Sequence, residues 1–317
     1  MSSLEIRRAS SVLKSVFVKD QFFSQAQSLR SHFQGLMGGE GQGQPRRFVW
    51  DYFFVENQYQ HLRTPAYHFF PSAIYRQFHE SLVQWGRENL GCHDVSPPWL
   101  SLYLDGHRQN WHRDVPHGPW AFVYSLSPQK ISFRGGKTCL AKEDLLNYWP
   151  SLMKESATTS KGHEGDTFFH EISPKFNRLI VFDPRVPHSV SEVSGAENPL
   201  EGRLVIHGWF VQPRPYVRGG LQTRSVQKIL ENFLADIFGD MEEIELMGTL
   251  SWSLKIDPSG QVQHVRLLTN TLRENGSAEA VPVLIRRLKN QFLQLRFRAS
   301  KKASELVVPL IFESAES

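Results

Sequence analysis

Cysteine is scarce in this 317-residue chain. Its two cysteines, Cys92 and Cys139, are too few and too far apart for a disulfide framework or a zinc knuckle. Such usage suits a reducing compartment, so a cytoplasmic location is expected. An excess of one charge is also missing. The sequence pI is near 9.0, yet the formal net charge is only +4. Residues 212–317 carry 14 Lys+Arg against 12 Asp+Glu, which leaves 22 against 20 for residues 1–211. Neither half is a concentrated basic body, so no nucleic-acid partner is expected. The run Arg286, Arg287, Lys289, Arg296, Arg298, Lys301 and Lys302 reads as a solvated face. Long hydrophobic runs are absent: no stretch approaches the roughly 18 apolar residues of a membrane span. Met1 to Asp20 has Arg7, Arg8 and Lys14 among short apolar runs, unlike a signal peptide, so export is not expected. Repeats and low-complexity tracts are missing too.

What is present suggests two domains, because the length is about twice the usual ~150 residues of one. From Asp20, a plausible N-cap, Phe22, Phe23, Ala26, Leu29, Phe33 and Leu36 recur at helical spacing until Gly38-Gly39. Gly39 to Pro45 reads as a glycine-rich loop. A second helical pattern starts at Ser72 and carries Ile74, Phe78, Leu82, Trp85 and Leu90. Between Pro98 and Val211 the character changes to short apolar runs broken by turns: Trp99–Leu104, Trp120–Leu126, Leu179–Phe182 and Leu204–Phe210. That spacing predicts an all-β sandwich or barrel, with the segment 1–97 as helical support on its outside. Gln212-Pro213-Arg214-Pro215 and Gly219-Gly220 predict a linker over 212–223. Beyond it, residues 224–317 predict a small α+β module. Its first strand alternates Leu250, Trp252, Leu254 and Ile256 with Thr249, Ser251, Ser253 and Lys255, the pattern of a half-buried strand.

Chemistry concentrates at Trp111-His112-Arg113-Asp114. In a strand, residues two apart share a face, so His112 and Asp114 can reach one metal ion while Arg113 points away. His188 follows a buried apolar run, 74 residues after Asp114 (188 − 114), as an antiparallel barrel returning to the same mouth requires. Two imidazoles and one carboxylate on one face leave open positions, the arrangement of the non-haem Fe(II) oxygenases. Arg203 opens the apolar run Arg203–Phe210. A guanidinium inside a barrel needs a carboxylate, and a keto acid that chelates iron at one end supplies one at the other. His112-Arg113-Asp114 also spells a kinase catalytic-loop triplet. That reading fails, since Pro119 stands where an Asn is needed and no DFG follows.

The order HxD, Gly135-Gly136 on a strand, FDP with PHSV, then RLVIHGWF resembles the Fe(II)/2-oxoglutarate-dependent dioxygenase superfamily in its prolyl-4-hydroxylase-like branch, over residues 98–211. The resemblance implies a double-stranded β-helix, or jelly roll, within an α+β protein. It implies Fe(II), 2-oxoglutarate and O₂ as cofactors, admits ascorbate as an auxiliary reductant, and implies hydroxylation of a protein side chain or a small metabolite with release of succinate and CO₂. By position, His112, Asp114 and His188 match the iron ligands, Arg203 the distal-carboxylate anchor and Tyr103 a tyrosine that hydrogen-bonds the cosubstrate. The gap from His188 to Arg203 is longer than in the family pattern, with polar Ser194–Gly202 read as a hairpin tip. Period two places Val205, His207 and Trp209 on Arg203's face. His207 is either a donor near the cosubstrate or a core histidine. Trp111, Trp120 and Tyr124 are either pocket wall or core, and His117 sits in a loop beside the chelate. The C-terminal pattern resembles the C-terminal domain of TonB-type energy transducers, which implies a small module able to bind a protein partner. A non-catalytic metal-holding jelly roll and a zinc hydrolase are the alternatives.

Overall fold

A computed structural model describes residues 15–38, 50–114, 117–142, 169–238, 246–274 and 280–313. The predicted loop Gly39–Pro45 lies outside them, as do Val115 and Pro116. The described chain divides into two compact units. One comprises Val16–Leu82 and Val95–Val211, and the other includes Val83–Asp94 and Gln212–Ser317.

The chain-order elements are β1 (Val16–Asp20), α1 (Ala26–Gly38), β2 (Asp51–Val55), β3 (Tyr59–Pro65), α2 (Ala66–Phe69), α3 (Ser72–Asn89), β4 (Cys92–Val95), β5 (Trp99–Tyr103), β6 (Arg108–His112), β7 (Trp120–Ser125), β8 (Thr138–Ala141), β9 (Phe169–Ile172), β10 (Arg178–Phe182), β11 (His188–Val190) and β12 (Arg203–Pro213). In the first unit the strands form one curled antiparallel sheet in the order β1-β10-β7-β12-β5-β3-β6-β11-β8-β9, with β2 on β3. This is a half-barrel with few helices, as a jelly roll requires. The central strands β7, β10 and β12 are apolar runs covered on both faces, which explains why they read as continuous rather than alternating. Helix α1 buries Ala26, Leu29, Arg30 and Phe33, a stripe at helical spacing. Arg30 enters that stripe because its guanidinium donates to two backbone carbonyls, Leu126 O at 3.0 Å and Leu200 O.

Several expectations need correction. The segment 1–97 is not purely helical support. It supplies β1, β2 and β3 to the sheet, and Asp20 ends β1 instead of capping a helix. Strand β3 escaped notice because its cavity-facing residues, Tyr59, His61 and Arg63, are polar, which blurs the usual apolar alternation. Gly135-Gly136 is not on a strand. Both residues have left-handed φ, +71° and +63°, and precede β8. The predicted linker 212–223 holds a strand, β13 (Tyr216–Arg218).

The second unit adds α4 (Thr223–Phe238), β14 (Leu246–Ile256), β15 (Val262–Asn270), β16 (Arg273–Glu274), α5 (Ala280–Gln294) and β17 (Ser304–Phe312). Its five-stranded sheet runs β13-β17-β14-β15, with β16 on β14. Leu250, Trp252, Leu254 and Ile256 join Val226, Leu230, Leu288 and Phe292 of the two helices in one core. The other face of β14 is not solvated as alternation predicts: Thr249, Ser251 and Ser253 are buried too. Ser251 Oγ donates to Leu90 O at 2.7 Å, so residues far back in sequence belong to this sheet's surroundings.

Candidate active site

The first unit encloses a cavity of about 470 Å³. Its wall contains the three candidate metal ligands His112, Asp114 and His188 and the three candidate cosubstrate residues Tyr103, Arg203 and His207. The register of β11 against β6 pairs His188 directly with His112, and their ring centroids lie 4.2 Å apart. Asp114 lies just beyond the end of β6, held by its N–H on Pro184 O at 3.0 Å. The ligand atoms of His112, Asp114 and His188 all fall within 4.8 Å of one another.

The histidine tautomers follow from the backbone. His112 Nδ1 faces Asn110 O at 2.7 Å, and His188 Nδ1 faces Val186 O at 2.9 Å. A carbonyl only accepts, so each Nδ1 carries its proton and donates it. Each Nε2 is thereby left to Asp114, at 3.5 Å for His112 and 3.4 Å for His188. Burial, reinforced by His188, holds His112 below the ordinary imidazole value, so it is neutral at physiological pH. Burial pushes the Asp114 carboxyl up, but the flanking His188 and His112 outweigh it and leave it low, hence ionised. Two imidazole nitrogens and a carboxylate therefore converge as electron-pair donors, a donor set that fits a divalent transition metal.

Arg203 is 1% exposed. Its Nη2 donates to Thr138 Oγ1 at 3.2 Å, while Nε and Nη1 are buried without a hydrogen-bond partner among the described residues. Burial of an uncompensated guanidinium is costly, so a carboxylate guest is the partner this side chain lacks. Gly136 makes the room: a Cβ there would stand 3.1 Å from Arg203 Cδ and 2.9 Å from Phe133 Cε2. Across β12 and β5 Arg203 pairs in register with Tyr103. The Tyr103 hydroxyl donates to Gln109 Oε1 at 3.2 Å, and Gln109 Nε2 lies 3.1 Å from His112 Nε2. Two turns along the alternation, His207 Nε2 meets Ser101 Oγ at 2.8 Å, and burial lowers its pKa to about 4.

Other residues fall out differently. His117 lines the cavity but lies against Trp209, ring centroids 4.5 Å apart, outside the three-residue cluster. Trp120 and Tyr124 are core, and Trp111 is 47% exposed, so none of the three forms pocket wall. Tyr59, His61, Arg63 and Gln109 line the cavity without having been singled out. His61 stacks on Tyr103 at 4.8 Å and 20°. Their signal was available only as polar alternation along β3 and β6.

Residues 98–211 match the 2OG-Fe(II) oxygenase superfamily. No curated protein matches the chain. Among solved structures, similarity is found to a prolyl hydroxylase from Trichoplax adhaerens in complex with a hypoxia inducible factor peptide, at 15% identity and TM-score 0.42, covering 62% of this chain and 83% of that one. A Pseudomonas putida prolyl-4-hydroxylase is similar at 17% identity and TM-score 0.42, covering 62% and 92%. HygX from Streptomyces hygroscopicus, with nickel and 2-oxoglutarate bound, follows at 12% identity and TM-score 0.41, covering 61% and 81%. The family match encloses the three-donor cluster and the buried arginine alike, and residues 98–211 are a 2OG-Fe(II) oxygenase domain, whose cofactors are Fe(II) and 2-oxoglutarate.

Proposed function

We propose that His112, Asp114 and His188 hold Fe(II), that Arg203 takes the distal carboxylate of 2-oxoglutarate with Tyr103 and His207 beside it, and that the domain hydroxylates a protein side chain or a small metabolite. Prolyl residues are the substrate that two of the similar structures suggest by name. The observation that carries the reading is the pairing of a three-donor cluster with a buried guanidinium whose Nε and Nη1 have no partner among the described residues, in one cavity. When bound, iron and 2-oxoglutarate supply the oxidation: one atom of O₂ enters succinate as CO₂ leaves, and the other enters the substrate C–H bond.

The chain's own residues set the stage for that chemistry. The Asn110 and Val186 carbonyls fix both histidine tautomers before metal arrives, and Gln109 gives up its contact with His112 Nε2 when it does. Arg203 orients the cosubstrate through its planar fork. A zinc hydrolase would leave that buried cation without a use. The division into an oxygenase domain through residue 211 and a C-terminal module from residue 224, TonB-like in pattern, belongs to the same reading. The module would raise the local concentration of a macromolecular substrate.

Anaerobic titration with Fe(II) and 2-oxoglutarate, followed by admission of oxygen, tests the proposal. Stoichiometric binding of both and release of succinate are expected. Tight zinc binding with no affinity for 2-oxoglutarate would overturn it.

A further inference from the structure

Arg63 is a second guanidinium in the cavity wall, and the cosubstrate anchor does not account for it. In register, Asp51, Arg63, Ser101 and Val205 form one row across β2, β3, β5 and β12, and Arg203 stands in the neighbouring row of the same face. Two strands across and two residues along place the Arg63 and Arg203 Cα atoms about 12 Å apart from ordinary sheet spacings. Their side chains also diverge. Arg203 reaches Thr138 on β8, whereas the Arg63 guanidinium carbon lies 3.7 Å from the Phe53 ring centroid and 4.4 Å from that of Trp99.

Those contacts hold the guanidinium plane. Asp51 Oδ2 takes only Nε, at 3.1 Å, and Nη1 and Nη2 make no hydrogen bond with any described residue. One edge of a pre-oriented fork therefore remains, which suits a planar carboxylate. Charge points the same way. Among the described residues, the charged side chains of the cavity wall are Arg63, Arg203 and Asp114. A loaded site balances without Arg63, because Fe(II) and Arg203 offset Asp114 and the two carboxylates of 2-oxoglutarate. Arg63 is the cation left over, and half-exposed Asp51 offsets it only from one side. A singly charged group matches that remainder better than a phosphate dianion.

Resting on the oxygenase reading above, we infer that the substrate carries a carboxylate, which docks on the Nη1/Nη2 edge of Arg63 between Phe53 and Trp99 while its oxidised carbon lies toward His112, Asp114 and His188. Arg63 is thus a specificity-determining residue, distinct from the cosubstrate anchor.

The test uses full-length protein with Fe(II), saturating 2-oxoglutarate labelled at its departing carboxylate, and air, with labelled CO₂ as the readout. The probe is the small-molecule fraction of a protease-digested cell extract, split on an anion exchanger into retained and unretained pools. Stimulation is taken relative to each protein's own rate without a pool. The retained pool should stimulate the parent, Arg63→Gln should lower that stimulation at least about tenfold, and Arg63→Lys should fall between. Asp51→Asn should reach half-stimulation with less of the pool, since a competing carboxylate is gone. A merely structural ion pair would make Asp51→Asn and Arg63→Gln fail alike, which overturns the inference and keeps it decidable should the Arg63 variants misfold. Stimulation by the unretained pool alone, by neither pool, or equally in Arg63→Gln also overturns it. Absence of any 2-oxoglutarate binding or CO₂ release is a different failure, that of the oxygenase reading itself.

Discussion

The Arg203 guanidinium carbon lies 4.6 Å from the centroid of the Tyr103 ring, and no carboxylate among the described residues pairs with it. The aromatic face softens the burial of the charge without neutralising it. Such an arrangement is unfavourable for the empty protein and favourable for a bound diacid.

Replacing Arg203 with Met should separate those two consequences. The variant should keep stoichiometric iron but need about a hundredfold more 2-oxoglutarate, since charge-assisted hydrogen bonds are lost. Without cosubstrate it should unfold no more easily than the parent, and up to about 1–4 kcal/mol harder, because an uncompensated buried charge is gone. At about 100 times the parent's Kd, 2-oxoglutarate should stabilise the parent by ~2.7 kcal/mol and the variant by only ~0.4 kcal/mol. Thermal melts with and without the diacid measure this. Equal stabilisation of both proteins would remove Arg203 from the anchor.

His112→Ala, Asp114→Ala and His188→Ala should each abolish stoichiometric iron while leaving the circular dichroism spectrum of the parent. The three side chains converge on a cavity and contribute little to the apolar core. Asp114→Asn is the sharper probe, since it keeps the shape and removes only the charge between the two imidazoles. Metal analysis after desalting reads the result, and full iron in any one variant would take that residue out of the set.

How much of this was legible in the sequence depends on the distance over which each feature is encoded. The clustering of His112, Asp114 and His188 and the burial of Arg203 could be read because HxD, a later His and an arginine opening an apolar strand are local signals. Helix α3 and strands β7, β10 and β12 were legible for the same reason, each carrying its periodicity within a few residues. Strand β3 was not, because the polar cavity-facing set of Tyr59, His61 and Arg63 replaced the apolar face that marks a strand. The buried far face of β14 was hidden as well: Ser251 meets Leu90 only through the fold. Gly135-Gly136 was noticed for the wrong reason, since left-handed turn geometry rather than a strand requires those glycines.

Gly136→Ala tests the turn. Its φ of +63° costs a side chain about 1–2 kcal/mol, and the added Cβ presses on Phe133 and Arg203. The expected outcome is a melting temperature below the parent's together with weaker 2-oxoglutarate binding and normal iron. Loss of stability without loss of cosubstrate affinity would mean that Arg203 moves aside freely. Gly135→Ala should be worse, because its Cβ would stand 1.8 Å from the Glu192 carbonyl oxygen.

Acid should weaken the metal-free protein in a window set by His207. Its pKa falls from 6.5 to about 4 on burial, so the fold favours the neutral ring while the unfolded chain takes a proton at the ordinary value. Stability is therefore whole above pH ~6.5, declines as pH falls toward ~4 and levels off below, a loss on the order of 3 kcal/mol. His61, pushed down mainly by burial, acts in the same direction. Urea titrations from pH 7.5 to 4 should show a shallower decline for His207→Gln. An identical slope would show that His207 protonates as easily in the fold as in water.

The second unit rests on a glycine outside its own contiguous stretch. Gly91 has φ +74°, and a Cβ there would lie 2.7 Å from two ring carbons of Pro309. Its carbonyl accepts from Arg214 N at 2.9 Å, and Arg218 Nη1 reaches Glu88 at 2.8 Å. Gly91→Ala should thus cost two separable amounts, a backbone strain of about 1–2 kcal/mol and a clash. Gly106, also at φ +74° but with no described residue within 4 Å of a Cβ, measures the strain alone when changed to Ala. Adding Pro309→Ala to Gly91→Ala should remove the clash and leave a residual cost similar to that of Gly106→Ala. If instead Gly91→Ala is no worse than Gly106→Ala, the 83–94 segment does not brace the sheet. By the same reasoning Gly220–Ser317 expressed alone, which lacks both this segment and β13, should show no cooperative melt, whereas fusing residues 83–94 onto a 212–317 fragment should restore one.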